Sequence, residues 1–221
     1  MQRSSNGQKK RLQESKARQR SKALRSAASQ RRPTYRLGYV DASTGATSTP
    51  LPYQRAVLDD RSDLVVFQAG RGTGKTWTMW LDCVHYCLEY PGLNALFGAP
   101  SHKMLTRGIF KVIKTWRKWA ERNLGWDPVV RFTTSFANME LEFFNGSTVV
   151  FGSAADMDEF RGGSYGYAAF DEADYIVANA EAWAAFLPCM RGYGPGRKVI
   201  GGTPSSLGSG LMALVLALAT V

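Results

Sequence analysis

From Ala69 to Thr76 the chain reads Ala-Gly-Arg-Gly-Thr-Gly-Lys-Thr. Gly70, Gly72 and Gly74 allow successive backbone N–H groups to turn toward one point, where they can cradle the oxygens of a β-phosphate. Lys75 then reaches the β and γ oxygens, and the Thr76 hydroxyl is a ligand for Mg²⁺. The string fits the phosphate-loop pattern with Ala69 in place of the first glycine, and Arg71 and Thr73 complete the candidate nucleotide-binding set. A merely flexible glycine turn is the simpler alternative. It does not account for the string's place between a short apolar run and a helix-length stretch.

Downstream, Tyr167-Ala168-Ala169-Phe170 runs into Asp171-Glu172-Ala173-Asp174. An aspartate at the end of an apolar strand can hold Mg²⁺, usually through water, and the next glutamate can orient and deprotonate an attacking water. Asp171 is therefore the metal candidate and Glu172 the general base. Taken alone, an acidic pair there more often opens a helix, where carboxylates suit the dipole; the phosphate loop upstream favours catalysis. Thr203, in Gly201-Gly202-Thr203-Pro204, closes another apolar run. It either senses the γ-phosphate from a strand's carboxyl end or belongs to a plain turn. Tyr53 and Gln54, just upstream of the first strand, can stack on and hydrogen-bond adenine.

Two arginines compete for one further task. Gly162 and Gly163 free the backbone around Arg161 to present its guanidinium, which can brace the charge that develops on a transferring γ-phosphoryl group. A surface ion pair with Asp158 or Glu159 is the simpler role. Arg71 is the rival and would act from within the loop.

The elements that must position these residues follow from pattern. Leu64–Gln68 and Asn94–Ala99 are short apolar runs, the first followed by the glycine cluster and the second closed by Pro100. Thr76–Tyr90 lacks Gly and Pro over a helical length, and Lys103–Arg122 has strong helical periodicity. Asn138–Phe144 and Ser147–Gly152 flank Asn145-Gly146, a strong hairpin signal. Tyr167–Phe170 and Lys198–Gly202 add two strands. Alternating strands and helices predict an α/β fold: a mainly parallel central sheet flanked by helices, with an added β-hairpin.

Composition limits the partners. With 221 residues and 44% hydrophobic content, the chain can bury one sizeable core and hardly two. The net charge of +10 is uneven. Residues 1–36 carry 12 Lys or Arg against Glu14 alone, so the remainder is close to neutral. That stretch is nearly free of large apolar residues and cannot offset its ordering entropy by burial, so residues 1–50 read as a disordered basic arm and linker. Residues 51–210 are the folded domain and 211–221 an apolar tail, either a truncated helix or a frame-shifted end, whose surface needs a partner to cover it. Cys83, Cys87 and Cys189 have no zinc or disulfide spacing and read as buried small hydrophobes. No run reaches the ~18 apolar residues of a membrane span, and no signal-peptide core follows the basic start; a soluble, intracellular protein is expected. On Lys103–Arg122 the six cations Lys103, Arg107, Lys111, Lys114, Lys118 and Arg122 share one stripe opposite Leu105, Ile109, Val112, Ile113, Trp116 and Trp119. A solvated face is the usual role of such a stripe; contact with nucleic-acid phosphates is the other. Trp77 and Trp80 are expected in the core.

The order LPYQ (51–54), GRGTGKT (70–76), NGS (145–147), FRGG (160–163), YAAFDEAD (167–174) and GGTPSS (201–206) resembles the ATPase domain of tailed-phage large terminases, over most of the folded body. The resemblance implies a P-loop NTPase of the ASCE/RecA-like kind that hydrolyses ATP with Mg²⁺ and translocates double-stranded DNA into a procapsid in the host cytoplasm. It further implies a homo-oligomeric ring with portal and small terminase subunits as partners. On that likeness Gln54 contacts adenine, Lys75 and Thr76 bind phosphate and Mg²⁺, Asp171 holds Mg²⁺, Glu172 is the base, Thr203 couples, and Arg161 reaches a neighbouring subunit's ATP. Large terminases of this kind carry a nuclease half after the motor; this sequence stops shortly after the coupling motif, so nuclease activity is not expected of it. Two alternatives stand beside the motor: a helicase-like ATPase, since Asp171–Asp174 spells DEAD, and a truncated product that binds nucleotide or DNA without turnover.

Overall fold

In a computed structural model, residues 47–135, 138–154, 160–176, 180–203 and 211–219 are described. The predicted arm (up to residue 46), the carboxylates Asp156, Asp158 and Glu159, and the end of the coupling motif from Pro204 lie outside them.

The chain runs α1 (Pro52–Asp59), β1 (Leu64–Gln68), α2 (Lys75–Glu89), β2 (Asn94–Ala99), α3 (His102–Arg107), α4 (Ile109–Leu124), β3 (Val129–Ser135), β4 (Asn138–Phe143), β5 (Thr148–Ser153), β6 (Tyr167–Phe170), α5 (Ala180–Phe186), β7 (Arg197–Gly202) and α6 (Leu211–Ala219). One seven-stranded sheet has the order β1-β7-β6-β2-β5-β4-β3. The first five strands of that order pair in parallel, and β4 and β3 continue it antiparallel. β7 thus lies between the strand that leads into the phosphate loop and the strand that ends at Asp171. The added hairpin turns through Asn145-Gly146, where Gly146 has φ 81, a conformation glycine adopts without strain.

Strand alternation sorts the core onto two faces. Val65, Phe67, Ala95, Phe97, Tyr167, Ala169 and Val199 face α2 and α4 in one apolar cluster. Leu96, Ala168, Phe170 and Ile200 face the other way, with Trp183 and Phe186 of α5 and Leu211, Met212 and Val215 of α6. Trp77 and Trp80 are buried, as are the three cysteines, which are free thiols. The Trp80 ring meets Trp116 edge-on at 5.7 Å.

Three elements depart from the sequence pattern. The expected helix Lys103–Arg122 is two helices broken at Gly108, whose φ −96 and ψ −95 are not helical. A β-carbon at Gly108 would stand 2.9 Å from the Met104 carbonyl oxygen, so the break uses the missing side chain. The amphipathic division survives: all six cations are exposed, while Leu105, Ile109, Ile113, Trp116 and Trp119 are buried. Within the apolar tail Leu211–Ala219 forms helix α6, and of its described side chains Leu211, Met212 and Val215 are buried while Leu216 is 42% exposed. β3 is an additional edge strand, with Val130 60% exposed.

A buried ion pair ties the start of β7 to the middle of α2. Arg197 of β7 and Asp82 of α2 are each 1% exposed, with Arg197 Nε donating to Asp82 Oδ2 at 3.0 Å. The same guanidinium donates to the carbonyls of Ser62 at 2.8 Å and Val57 at 3.0 Å, and the Tyr167 hydroxyl donates to Asp82 at 3.0 Å. Both charges are thereby paired and hydrogen-bonded, as burial of charge demands.

Candidate active site

β1 delivers the chain to the loop, and the Ala69 N–H donates to the Gly202 carbonyl of β7 at 3.2 Å. Gly72 (φ 74) and Gly74 (φ 79) then take left-handed conformations, which lets the loop double back and start α2 directly at Lys75. The first turn of α2 leaves its N–H groups without intrahelical acceptors, pointing out of the helix start as anion donors. The loop's carbonyls are held by side chains: Thr73 Oγ1 donates to Gly70 O at 2.7 Å, while Thr73 O accepts from Gln54 Nε2 at 2.7 Å and Tyr53 Oη at 2.9 Å.

Lys75 is buried, and its ammonium donates to Ala69 O (2.8 Å), Gly70 O (2.9 Å) and Thr203 Oγ1 (3.0 Å). Three donors thus have three acceptors across the mouth of the loop. The Thr203 hydroxyl in turn donates to Glu172 Oε2 over a long 3.5 Å. This chain of contacts follows from sheet order, because β7 carries Thr203 between the ends of β1 and β6.

At the end of β6 Asp171 is buried and accepts the Thr76 hydroxyl at 2.6 Å. Burial pushes its carboxyl up to about 6, against the Thr76 hydrogen bond, which lowers it. Glu172 follows in a left-handed conformation, φ 51 and ψ 43, with its N–H donating to Asp171 Oδ1 at 3.0 Å. Among the described residues it is the one non-glycine with positive φ, and such backbone strain concentrates at functional sites. It turns the two adjacent carboxylates apart, one toward Thr76 and the other toward Thr203. Asp174, on the short turn that follows, packs its carboxylate where a Gly202 β-carbon would stand, 2.1 Å from Oδ2.

The Thr76 hydroxyl and the Asp171 carboxylate give two hard oxygen groups on one spot. They fit Mg²⁺, which takes one or two protein oxygens and completes its shell with phosphates and water. Among the described residues no group of three His, Cys, Asp or Glu side chains could hold a metal by itself, so the spot suits a cation that arrives with its phosphates.

The structure therefore brings Lys75, Thr76, Asp171, Glu172 and Thr203 together. Arg71 is exposed on the rim of the loop, its Nη2 donating to the Tyr175 hydroxyl over a long 3.5 Å. Arg161 is exposed beside Gly162 (φ 93) on the connection after β5. β5 stands four strand positions from β1, about 19 Å at ordinary strand spacing. The preceding Phe160 is anchored on β5, its ring 2.3 Å from where a Gly152 β-carbon would lie. Sequence reading did not find the Tyr175 contact to Arg71 or the left-handed Glu172; neither carries a local signal.

The family model described as terminase large subunit, T4likevirus-type, N-terminal, matches residues 66–211. No curated protein matches the chain. Among solved structures, the large terminase ATPase domain of Thermus phage P74-26 is similar at 22% identity and TM-score 0.54, over 72% of this chain and 66% of that one. The large terminase of bacteriophage HK97 is similar at 16% identity and TM-score 0.63, over 82% of this chain and 39% of that one. The large terminase of a thermophilic bacteriophage, in complex with ADP, is similar at 15% identity and TM-score 0.52, over 69% of this chain and 38% of that one. These likenesses establish a common fold, and the match spans about two fifths of the length of the last two proteins.

Proposed function

The chain belongs to the N-terminal family of terminase large subunits of the T4likevirus type, and from this membership we propose that it is an ATP-hydrolysing motor domain that drives double-stranded DNA into a viral procapsid. The observation that carries the reading is the continuous set of contacts from Lys75 through Thr203 to Glu172, beside the Thr76–Asp171 pair. On this reading Lys75 is the partner of the phosphate charge, Glu172 the base and Thr203 the hydroxyl that connects them, beside the pair that would hold Mg²⁺.

Residues 51–210 form the catalytic part in this reading. The loop amides and Lys75 bind the phosphates of ATP, and Thr76 and Asp171 hold Mg²⁺. The metal, when bound, supplies charge neutralisation at the phosphates. Glu172 orients the attacking water and takes its proton, and Thr203 registers whether Lys75 is engaged with a γ-phosphate or with its own hydroxyl. Arg161 serves a neighbouring copy in a homo-oligomeric ring, and Arg71 acts on its own site. The basic arm, residues 1–50, holds DNA by its phosphates. Portal protein and a small terminase subunit complete the assembly, which works in the host cytoplasm while docked on the procapsid.

The test is phosphate release by the purified chain in Mg²⁺, with and without double-stranded DNA. ATP-dependent release that DNA stimulates, and that Lys75→Ala abolishes, is expected. Tight nucleotide binding with no release under either condition would replace the motor with a binding protein.

A further inference from the structure

On the second face of the sheet one register row lacks side chains where two strands meet. Gly98 of β2 pairs with Gly152 of β5 on one side and with Phe170 of β6 on the other. The Phe170 ring leans over Gly98, 2.7 Å from where a β-carbon would stand, and the Phe160 ring fills the place of a Gly152 β-carbon. The two rings meet edge-on at 6.2 Å. Each also packs edge-on against Phe186 of α5, at 6.5 Å from Phe160 and 5.3 Å from Phe170. Phe160 is thus 3% exposed, in packing that fixes the orientation of a ring as well as burying it.

Each of these two rings adjoins, in sequence, a residue with a part in the chemistry. Phe160 precedes the exposed Arg161, and Phe170 precedes Asp171 and Glu172. The Asp171 N–H donates to the Gly98 carbonyl at 2.9 Å, so one glycine seats the Phe170 ring and holds the backbone of the next residue. Beyond Arg161 come Gly162, with φ 93, and Gly163, and a glycine backbone sets no course of its own. The Gly163 N–H closes the turn on the Phe160 carbonyl at 3.3 Å, so the turn takes its orientation from Phe160.

We propose that Phe160 is a positioning residue for Arg161: seated at Gly152 and against Phe170, it fixes the turn that presents the guanidinium and ties that turn to the strand carrying Asp171 and Glu172. The inference rests on the reading of Arg161 as serving a neighbouring copy, and deepens it by naming what aims the side chain. A group that braces charge in a transition state loses about 10²-fold in rate when displaced by about 1 Å. A fixed base therefore matters most to an arginine that works across an interface. Core packing is the simpler role of a buried phenylalanine. The two roles part on whose ATP is affected, because a core defect harms the chain's own site and a misaimed Arg161 harms the neighbour's.

Mixtures of full chains separate the two. ATP hydrolysis is measured for wild type, Phe160→Leu and Arg161→Ala, each alone and mixed equally with Glu172→Gln, which keeps its arginine and lacks the base. Phe160→Leu is also mixed with Arg161→Ala, which keeps its base and lacks the arginine. Phe160→Leu leaves an apolar side chain in the core, and its affinity for a fluorescent ATP analogue should match that of wild type. Alone it should hydrolyse ATP about 10- to 100-fold more slowly. With Glu172→Gln, whose Arg161 is well aimed, it should regain part of the loss; with Arg161→Ala it should regain none. Gly152→Ala displaces the Phe160 ring from the side of β5 and should repeat the pattern, so a folding defect in one variant leaves the other to decide. Wild-type hydrolysis by Phe160→Leu alone, recovery in its mixture with Arg161→Ala, or no gain from Glu172→Gln where Arg161→Ala does gain, would overturn the proposal. Arg161→Ala that hydrolyses like wild type, or gains nothing from Glu172→Gln, would overturn the reading of Arg161 itself and this proposal with it.

Discussion

Thr76 and Asp171 lie 95 positions apart in sequence, yet the hydroxyl of one donates to the carboxylate of the other at 2.6 Å. The contact joins the first turn of α2 to the end of β6, and burial of Asp171 makes that hydroxyl its main compensation. Removing it should be felt wherever the carboxylate must act as a metal ligand. Thr76→Ala is expected to lower Mg²⁺-dependent ATP hydrolysis about 10- to 100-fold, the range for a hydrogen bond to a charged group, and Thr76→Ser to restore most of it. A Mg²⁺ titration of the rate checks this; an Ala variant with wild-type Mg²⁺ dependence would remove Thr76 from the metal site.

Two basic features are candidates for the proposed DNA contact. The arm is legible in sequence alone, whereas the exposed cations of α3 and α4 are a placed surface. Deleting residues 1–36 should flatten the slope of log affinity against log salt, since each phosphate contact contributes about 0.9 to that slope. If the slope is unchanged, replacing Lys111, Lys114, Lys118 and Arg122 by Ala should lower it by about three to four instead.

How far the sequence foretold all this varies by element. β1, β2 and β6 were readable because each is a short apolar run closed by glycine, proline or acid, and their bounds coincide with the structure. β3 was not, because Val129–Ser135 carries Arg131 and three hydroxyl residues along an exposed edge, where burial leaves no apolar signature. The break at Gly108 was hidden because apolar residues on both flanks keep helical spacing through it. Lys75, Thr76, Asp171 and Glu172 could be named from local motifs. Thr203 remained ambiguous, since its contacts with Lys75 and Glu172 depend on β7 lying between β1 and β6, and strand order is a non-local property. The direction of Gln54 was illegible for the same reason: its partner, Thr73, lies 19 residues on.

The Arg197–Asp82 pair carries a stability prediction. Asp82→Ala leaves the buried guanidinium with only the part-exposed Asp60 carboxylate, 4.0 Å away, a loss of up to about 3–5 kcal/mol. Asp82→Ala combined with Arg197→Met should recover part of it, because the stranded charge is gone. Urea unfolding of the two variants measures both; a single variant as stable as wild type would show that the backbone carbonyls of Val57 and Ser62 suffice.

Arg161 and Arg71 are separable by mixing. If Arg161 acts on a neighbour's site, Arg161→Ala chains combined with Glu172→Gln chains should regain part of the hydrolysis that each lacks alone, because some interfaces pair an intact arginine with an intact base. Arginine fingers contribute about 10³–10⁵ in rate, so the recovery stands well above background. No recovery in a preparation shown to assemble would shift the role to Arg71, whose Ala variant should then fail alone and in every mixture.

The most direct measurement of the central claim compares Glu172→Gln with wild type for both ATP binding and turnover. The carboxylate meets Lys75 through the Thr203 hydroxyl, over a long 3.5 Å contact, and Gln keeps an oxygen acceptor there, so binding should persist within about threefold while hydrolysis falls about 10²-fold or more, as for loss of a general base. Equal turnover in the two proteins would contradict the account, since the one strained residue at the end of β6 would then have no part in the chemistry.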